Sequence, residues 1–203
     1  WPEISYGINY DGTIITEEEQ NAFLQAVPSN VVVVLDEAYY EFARGEGYPE
    51  SQPLLQKYPN LIILRTFSKV YGLASLRVGY GMASSEMVSY LNRVRPPFNV
   101  NTLAQEAAIA ALDDQSFVVK TISENKKGLT MLYQAFDRLK LPYVKSYANF
   151  VWVEAPLPSG EMFQRLLYKG VIIRPFMGNW LRITVGSEEE NKILLQALED
   201  VLA

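Results

Sequence analysis

Two short apolar runs, Val31-Val32-Val33-Val34-Leu35 and Leu61-Ile62-Ile63-Leu64, leave this chain few folds to choose from. Each is dominated by branched aliphatic side chains and has no polar position within it. That is how a strand buried on both faces of a parallel sheet reads, whereas a strand with one wet face alternates. Helical signals come before each run. Thr16 with Glu19 three residues later makes a capping box that opens a helix to about Ala26, and Pro28-Ser29-Asn30 breaks it. Leu54 to Tyr58 reads as a second, short helix after the loop-like stretch Gly45 to Pro53. Helix, strand, helix, strand in that order is the pattern of an α/β protein.

The segments that follow extend the pattern and then change it. Val78 to Ala83 reads as a strand, Ser85 to Asn92 as a short helix, and Pro96-Pro97 as a break. A helix from Asn101 through Leu112 carries Leu103, Ala107, Ala110 and Ala111 as an apolar stripe, and Asp114 to Leu139 reads as a longer helix. From Leu141 the order is α+β: strands at Tyr143 to Ser146, Phe150 to Glu154, Val171 to Arg174 and Trp180 to Val185. Helices fall at Gly160 to Lys169 and Glu188 to Leu202. The expected organisation is a large-domain portion over 1–112, a connecting helix over 113–140 and a small C-terminal domain over 141–203. Trp1 to Gly12 reads as a strand end and turn.

Charge and composition narrow the chemistry. A net charge of −5 without a long basic run argues against nucleic acid or an anionic membrane as partner, and points to small molecules. The chain has no cysteine and no histidine, so acid–base work falls to Lys, Asp, Glu or Tyr. No apolar run approaches 18 residues and no secretory leader is readable, so the expectation is a cytoplasmic protein.

The second apolar run ends in Arg65-Thr66-Phe67-Ser68-Lys69, and Arg77 follows soon after. A lysine behind a buried strand is costly to desolvate unless its amine is used, and a carbonyl cofactor uses it by Schiff-base formation. Hydroxyls and a guanidinium fork are suited to a phosphate. A solvated loop lysine and a surface arginine remain open on position alone. Asp36 closes the first run, so Asp36 and Lys69 both stand at strand carboxyl ends, where ligands of open α/β sheets gather.

Taken together, Ser68-Lys69-x-Tyr71-Gly72-Leu73-Ala74-x-x-Arg77-x-Gly79-Tyr80 resembles the lysine signature of fold-type-I pyridoxal-phosphate-dependent aminotransferases, most closely the histidinol-phosphate aminotransferases. Asp36-Glu37-Ala38-Tyr39 resembles the same family's ring-binding motif, and Asp36 and Lys69 stand 33 residues apart as that resemblance requires. Asn9-Tyr10-Asp11-Gly12 occupies the place of the family's Asn-Pro-Thr-Gly, matching at Asn9 and Gly12 only. Arg174-Pro175 with Leu181-Arg182-Ile183 resembles the carboxy-terminal signature, and Asn149 lies in a family-like Ala-Asn-Phe context.

The resemblance implies pyridoxal 5'-phosphate as cofactor, bonded through Lys69, with Asp36 on the ring nitrogen and Asn9 and Tyr39 on the ring oxygen. Thr66, Ser68 and Arg77 would hold its phosphate, and Arg174, Arg182 and Asn149 would meet the substrate. Read singly, Asp36 and Asn9 also suit turns, Thr66 and Ser68 caps, Tyr39 a packed ring and Arg174 a strand-edge ion pair. The implied fold is α/β, the mostly parallel sheet of the transferase large domain with a small α+β domain behind it. The implied reaction is amino transfer between an amino donor and a 2-oxo acid in histidine biosynthesis, by a homodimer. An aromatic amino-acid aminotransferase, a pyridoxal-phosphate decarboxylase and a catalytically silent partial copy remain open, because the resemblance covers only the later part of a family chain.

Overall fold

A computed structural model describes residues 6–202, which divide into two compact units. The first takes the chain up to Asn9 and Ile14–Val119; the second takes Tyr10–Thr13 and Lys120–Ala203. Of the opening stretch Trp1 to Gly12, the first five residues lie outside the described ones.

The first unit is built on a sheet in the order β1-β2-β3-β4: β1 (Tyr6–Gly7), β2 (Val33–Asp36), β3 (Leu61–Thr66) and β4 (Gly79–Ala83). β1, β2 and β3 are parallel, and β4 runs antiparallel to β3. Helix α1 (Glu17–Ala26) starts at the predicted capping box, with Thr16 accepting from the Glu19 amide and the Glu19 carboxylate accepting from the Thr16 amide. With the Gln52–Gln56 3-10 turn it covers one face of the sheet. Leu24, Val33, Leu35, Leu61 and Ile63 form the core there. Burying each such side chain is worth roughly 1.5–3 kcal/mol. Pro53 near its start accompanies the 3-10 form of this segment, where an α-helix over Leu54 to Tyr58 is expected.

Val31 to Leu35 corrects the expectation of a strand buried on both faces. Val33 and Leu35 are buried, whereas Val31, Val32 and Val34 are about half exposed, and Leu64 beside Asp36 is exposed too. On that second face Ile62, the register partner of Val34, is buried while Val34 and Leu64 stay exposed, so apolar composition alone overstates how much of the face is interior.

After β4 come α3 (Ser85–Val94), α4 (Thr102–Asp113), N-capped by Asn101, and the long α5 (Gln115–Leu139). A single turn of helix, α2 (Tyr40–Ala43), follows β2 and is too short to announce itself in the sequence. On α4 the buried positions are Ala104 and Ala108, packed on Phe67 and Val78, while Leu103 is exposed. Of the expected stripe, Ala107 and Ala111 are half-buried, with Ala111 packing on the same cluster, whereas Leu103 and Ala110 are exposed.

The second unit has its own sheet, ordered β5-β6-β8-β7: β5 (Tyr143–Val144), β6 (Phe150–Glu154), β8 (Trp180–Thr184) and β7 (Arg174–Pro175), every pairing antiparallel. The helices α6 (Ser159–Tyr168) and α7 (Glu188–Leu202), with the later part of α5, pack on Val151, Val153, Leu181 and Ile183 to make a continuous core. β5 is shorter than expected because the Ser146 amide donates to the Tyr133 hydroxyl (2.8 Å) instead of to a ladder. β7 is shorter because the Val171 amide is spent on Leu166 O at the end of α6 (2.9 Å).

Candidate active site

Parallel pairing brings the carboxyl ends of β1, β2 and β3 to one rim of the first sheet. Asp36 is in register with Gly7 on one side and Leu64 on the other. Asn9 stands two residues beyond Gly7, and Thr66 two beyond Leu64. Because side chains alternate along a strand, Asp36, Leu64 and Thr66 share the face opposite the Leu35–Ile63 core. Asp36 Oδ1 accepts from the Ala38 amide (3.1 Å), which turns the chain towards Tyr39. The expected turn role and a ring-facing role are therefore not exclusive.

Lys69 is held by its neighbours. Phe67 and Val70 on either side of it are buried, Phe67 packing under α4, and the turn closes through Gly72 N to Lys69 O (3.0 Å) and Leu73 N to Phe67 O (2.9 Å). The Lys69 side chain emerges half-buried, with Nζ 5.2 Å from the centre of the Tyr39 ring. This contact joins two motifs that are separate in sequence.

The phosphate-type donors cluster on the same turn. Thr66 Oγ1 accepts from the Ser68 amide (3.0 Å), and Arg77 Nη1 donates to Ser68 Oγ (3.2 Å) and to Ala74 O (3.1 Å). Arg77 has φ 52°, a left-handed conformation that a non-glycine residue adopts at a cost of order 1–3 kcal/mol, and such strain concentrates at functional sites. Thr66, Arg77 and Leu64 line an open depression of about 350 Å³ with Gly79 and Gly81. Among the described residues no carboxylate pairs with Lys69 or Arg77. An amine beside an aromatic ring, two hydroxyls, an unpaired guanidinium and a nearby carboxylate fit a phosphorylated pyridine aldehyde.

The turn at Asn9 to Gly12 explains one match to the family pattern. Gly12 has φ 90°, and a Cβ there would sit 2.9 Å from Ser146 Cβ, so glycine is required twice over. In place of the family's Pro and Thr, Asp11 accepts from the Thr13 amide (3.0 Å) and hydroxyl (2.8 Å) and closes the turn with a side chain.

In the second unit, Arg174 and Arg182 are cross-strand partners in the β7–β8 pair, and Trp152 is the partner of Arg182 on the other side. All three lie on the face of the sheet opposite the core. The Arg182 guanidinium sits 4.7 Å from the Phe150 ring centre and that of Arg174 lies 5.8 Å from Phe176. Neither has a carboxylate partner among the described residues, so the strand-edge ion pair open to Arg174 is not formed there. Asn149, half-buried, accepts the Val185 amide through its backbone carbonyl (2.9 Å).

In the first unit, two charged residues that carry no role in the sequence pattern stand next to motif residues. Glu37 follows Asp36, Arg65 precedes Thr66, and the two pair on the covered face of the first sheet. Their position directly beside two motif residues is the only signal the sequence offers.

Comparisons with known proteins identify the family. The family model described as aminotransferase class I and II matches residues 8–198. A histidinol-phosphate aminotransferase of Caldicellulosiruptor saccharolyticus is 49% identical over 198 residues, covering 96% of this chain and 55% of that protein. One from Bacillus subtilis is 48% identical over 200 residues, with the same coverage. Among solved structures, the histidinol-phosphate aminotransferase of Sinorhizobium meliloti in complex with pyridoxal-5'-phosphate superposes with a TM-score of 0.88. It is 31% identical, with 96% of this chain and 55% of that one covered. The chain thus spans about half the length of the curated relatives it matches.

Proposed function

Since the chain belongs to the class I and II aminotransferase family, we propose that it carries the cofactor-bonding part of a pyridoxal-phosphate-dependent histidinol-phosphate aminotransferase. The observation that carries the proposal is the half-buried Lys69 amine, 5.2 Å from the Tyr39 ring and without a carboxylate partner among the described residues. When bound, pyridoxal 5'-phosphate supplies an electron sink for a carbanion at the substrate α-carbon.

The chain's own residues divide the remaining work. Lys69 would hold the cofactor and, once an amino substrate has displaced its amine, would move the proton at the substrate α-carbon. Asp36, as a carboxylate, favours a protonated ring nitrogen, and Asn9 and Tyr39 orient the ring through its oxygen. Thr66, Ser68 and Arg77 hold the phosphate by charge-assisted hydrogen bonds. Arg174 and Arg182 take the anionic end of the substrate, with Asn149 beside them, because a guanidinium fork accepts phosphate and carboxylate alike. The amino group passes between histidinol phosphate and 2-oxoglutarate, which becomes glutamate as histidinol phosphate becomes the corresponding ketone. The same proposal includes a large-domain portion over 1–112, a connecting helix over 113–140, a small domain over 141–203, a cytoplasmic location and a homodimer. The exposure of Val94, Phe98 and Leu103 supports a partner surface; sedimentation tests it. Among the described residues no helix is long and apolar enough to cross a membrane.

The test is a half-reaction. The chain loaded with pyridoxal 5'-phosphate is mixed with histidinol phosphate and the cofactor product is separated and identified. Pyridoxamine phosphate formed with histidinol phosphate and reversed by 2-oxoglutarate is the expected result. Conversion with phenylalanine alone would reassign the substrate, release of carbon dioxide would reassign the reaction, and binding without conversion would make the chain catalytically silent.

A further inference from the structure

The five residues Asp36-Glu37-Ala38-Tyr39-Tyr40 work in two directions. Asp36 and Tyr39 belong to the Lys69 rim, while Glu37 and Tyr40 turn back to Arg65 on the covered face. The Glu37 side chain is completely buried and that of Arg65 is 11% exposed. Arg65 Nε donates to Glu37 Oε2 (2.9 Å). Nη2 lies 2.8 Å from the same oxygen, outside hydrogen-bond geometry. Tyr48 donates its hydroxyl to the other carboxylate oxygen (3.4 Å). The Tyr40 ring lies 3.5 Å from the Arg65 guanidinium carbon, and the Tyr40 hydroxyl donates to Glu50 Oε2 (2.7 Å). Burial pulls the Arg65 pKa down most strongly, yet the Glu37 charge and hydrogen bond, joined by Tyr80, together outweigh it and the net shift is upward.

A largely buried ion pair is a poor source of stability, because desolvating the two charges roughly cancels their attraction and apolar replacements often serve as well. What it adds over an apolar pair is direction. Here the direction is applied next to the site: Glu37 is bonded to Asp36, Arg65 to Thr66 and Tyr40 to Tyr39. The Glu37 amide also continues the β2–β3 ladder to Leu64 O (2.9 Å). We propose that Glu37, Arg65 and Tyr40 are positioning residues that fix Asp36, Tyr39 and Thr66 around Lys69. The proposal rests on the reading of Lys69 as the cofactor-bonding amine.

The experiment compares the chain with the double variant Glu37→Leu/Arg65→Met, which removes both charges at once, and with Tyr40→Leu, which keeps both charges and removes the ring beneath Arg65. Two quantities are read on each: the dissociation constant for pyridoxal 5'-phosphate, and the pH midpoint of the absorbance change of the loaded chain. Thermal unfolding without cofactor serves as the structural control. The expected result is a Tm close to that of the parent in at least one variant. In that variant, affinity should weaken by roughly tenfold or more, as loss of outer supporting contacts does at other sites, and the midpoint should move. A variant of unchanged Tm with unchanged affinity and midpoint overturns the proposal. If the double variant does not fold, Tyr40→Leu decides by the same criterion, and its failure to fold as well would make the cluster structural and overturn the proposal. A parent chain that takes up no cofactor overturns the proposed function instead.

Discussion

Arg174 and Arg182 face each other as direct partners across the β7–β8 pair, two guanidiniums on one face of the sheet with no carboxylate partner among the described residues. Like charges at such positions cost a few tenths to about 1 kcal/mol. An anion placed between them relieves that cost, so inorganic phosphate at low ionic strength should raise the Tm. In Arg182→Gln the stabilisation by phosphate should diminish to what the Thr66, Ser68 and Arg77 cluster supplies, while the phosphate-free protein should be no less stable than the parent. An undiminished phosphate effect in the variant would remove these arginines from the anion site.

Alkaline pH should unfold the chain through buried tyrosines. Burial, reinforced by the hydrogen bond to Glu50, pushes Tyr40 up to about 12 from its ordinary 10.0, and burial with the nearby Glu37 charge raises Tyr48 further. An unfolded chain releases these protons near pH 10 while the folded chain holds them. Their contribution is therefore intact below pH 10 and is lost as pH climbs through about 12. Thermal melts between pH 8 and 12 should show this fall, with a shallower slope in Tyr48→Phe; equal slopes would contradict the assignment.

Glu41 behaves in the same sense at lower pH. Burial raises its pKa above the usual 4.5, against opposing help from its own backbone hydrogen bond and from Arg65. The folded state holds a proton that the unfolded chain has already lost, so stability declines as pH rises from 4.5 through the raised value. Glu41→Gln cannot ionise. Its Tm relative to the parent should therefore grow across that window and level off above it, whereas a constant difference would rule out titration as the cause.

Gly128 lies in α5 where a Cβ would collide with Val185 Cγ1 and approach Asn191 Nδ2 to 2.9 Å. Asn191 is buried and bonds the Gly186 amide and carbonyl (both 3.0 Å), so it has little freedom to move. Gly128→Ala should destabilise the protein by about 1–3 kcal/mol, read from denaturant unfolding. A helix-propensity gain with no loss of stability would show that this contact is loose.

The parts of the fold that sequence reveals are those set by near neighbours. Thr16 and Glu19 cap α1 through bonds spanning three residues, and the α5 reading over Asp114 to Leu139 differs from the helix by one residue at its start. Tertiary context decides the rest. Leu103 looks inward by composition, but α4 turns alanines to the core because Phe67 fills the space beside them. Val34 reads as interior, yet it is about half exposed although its register partner Ile62 on the same face is buried. Lys69, Asp36 and Arg77 are recognisable as a motif, whereas the Glu37–Arg65 pair needs the register of β2 on β3 to be seen.

The central claim concerns one amine, and reductive trapping tests it most directly. The chain is equilibrated with substoichiometric pyridoxal 5'-phosphate, reduced with borohydride, digested, and the modified lysine identified by mass. One dominant adduct at Lys69, absent from Lys69→Ala, is the expected result. Adducts spread over exposed lysines such as Lys127 and Lys192, with Lys69 unmodified, would contradict it.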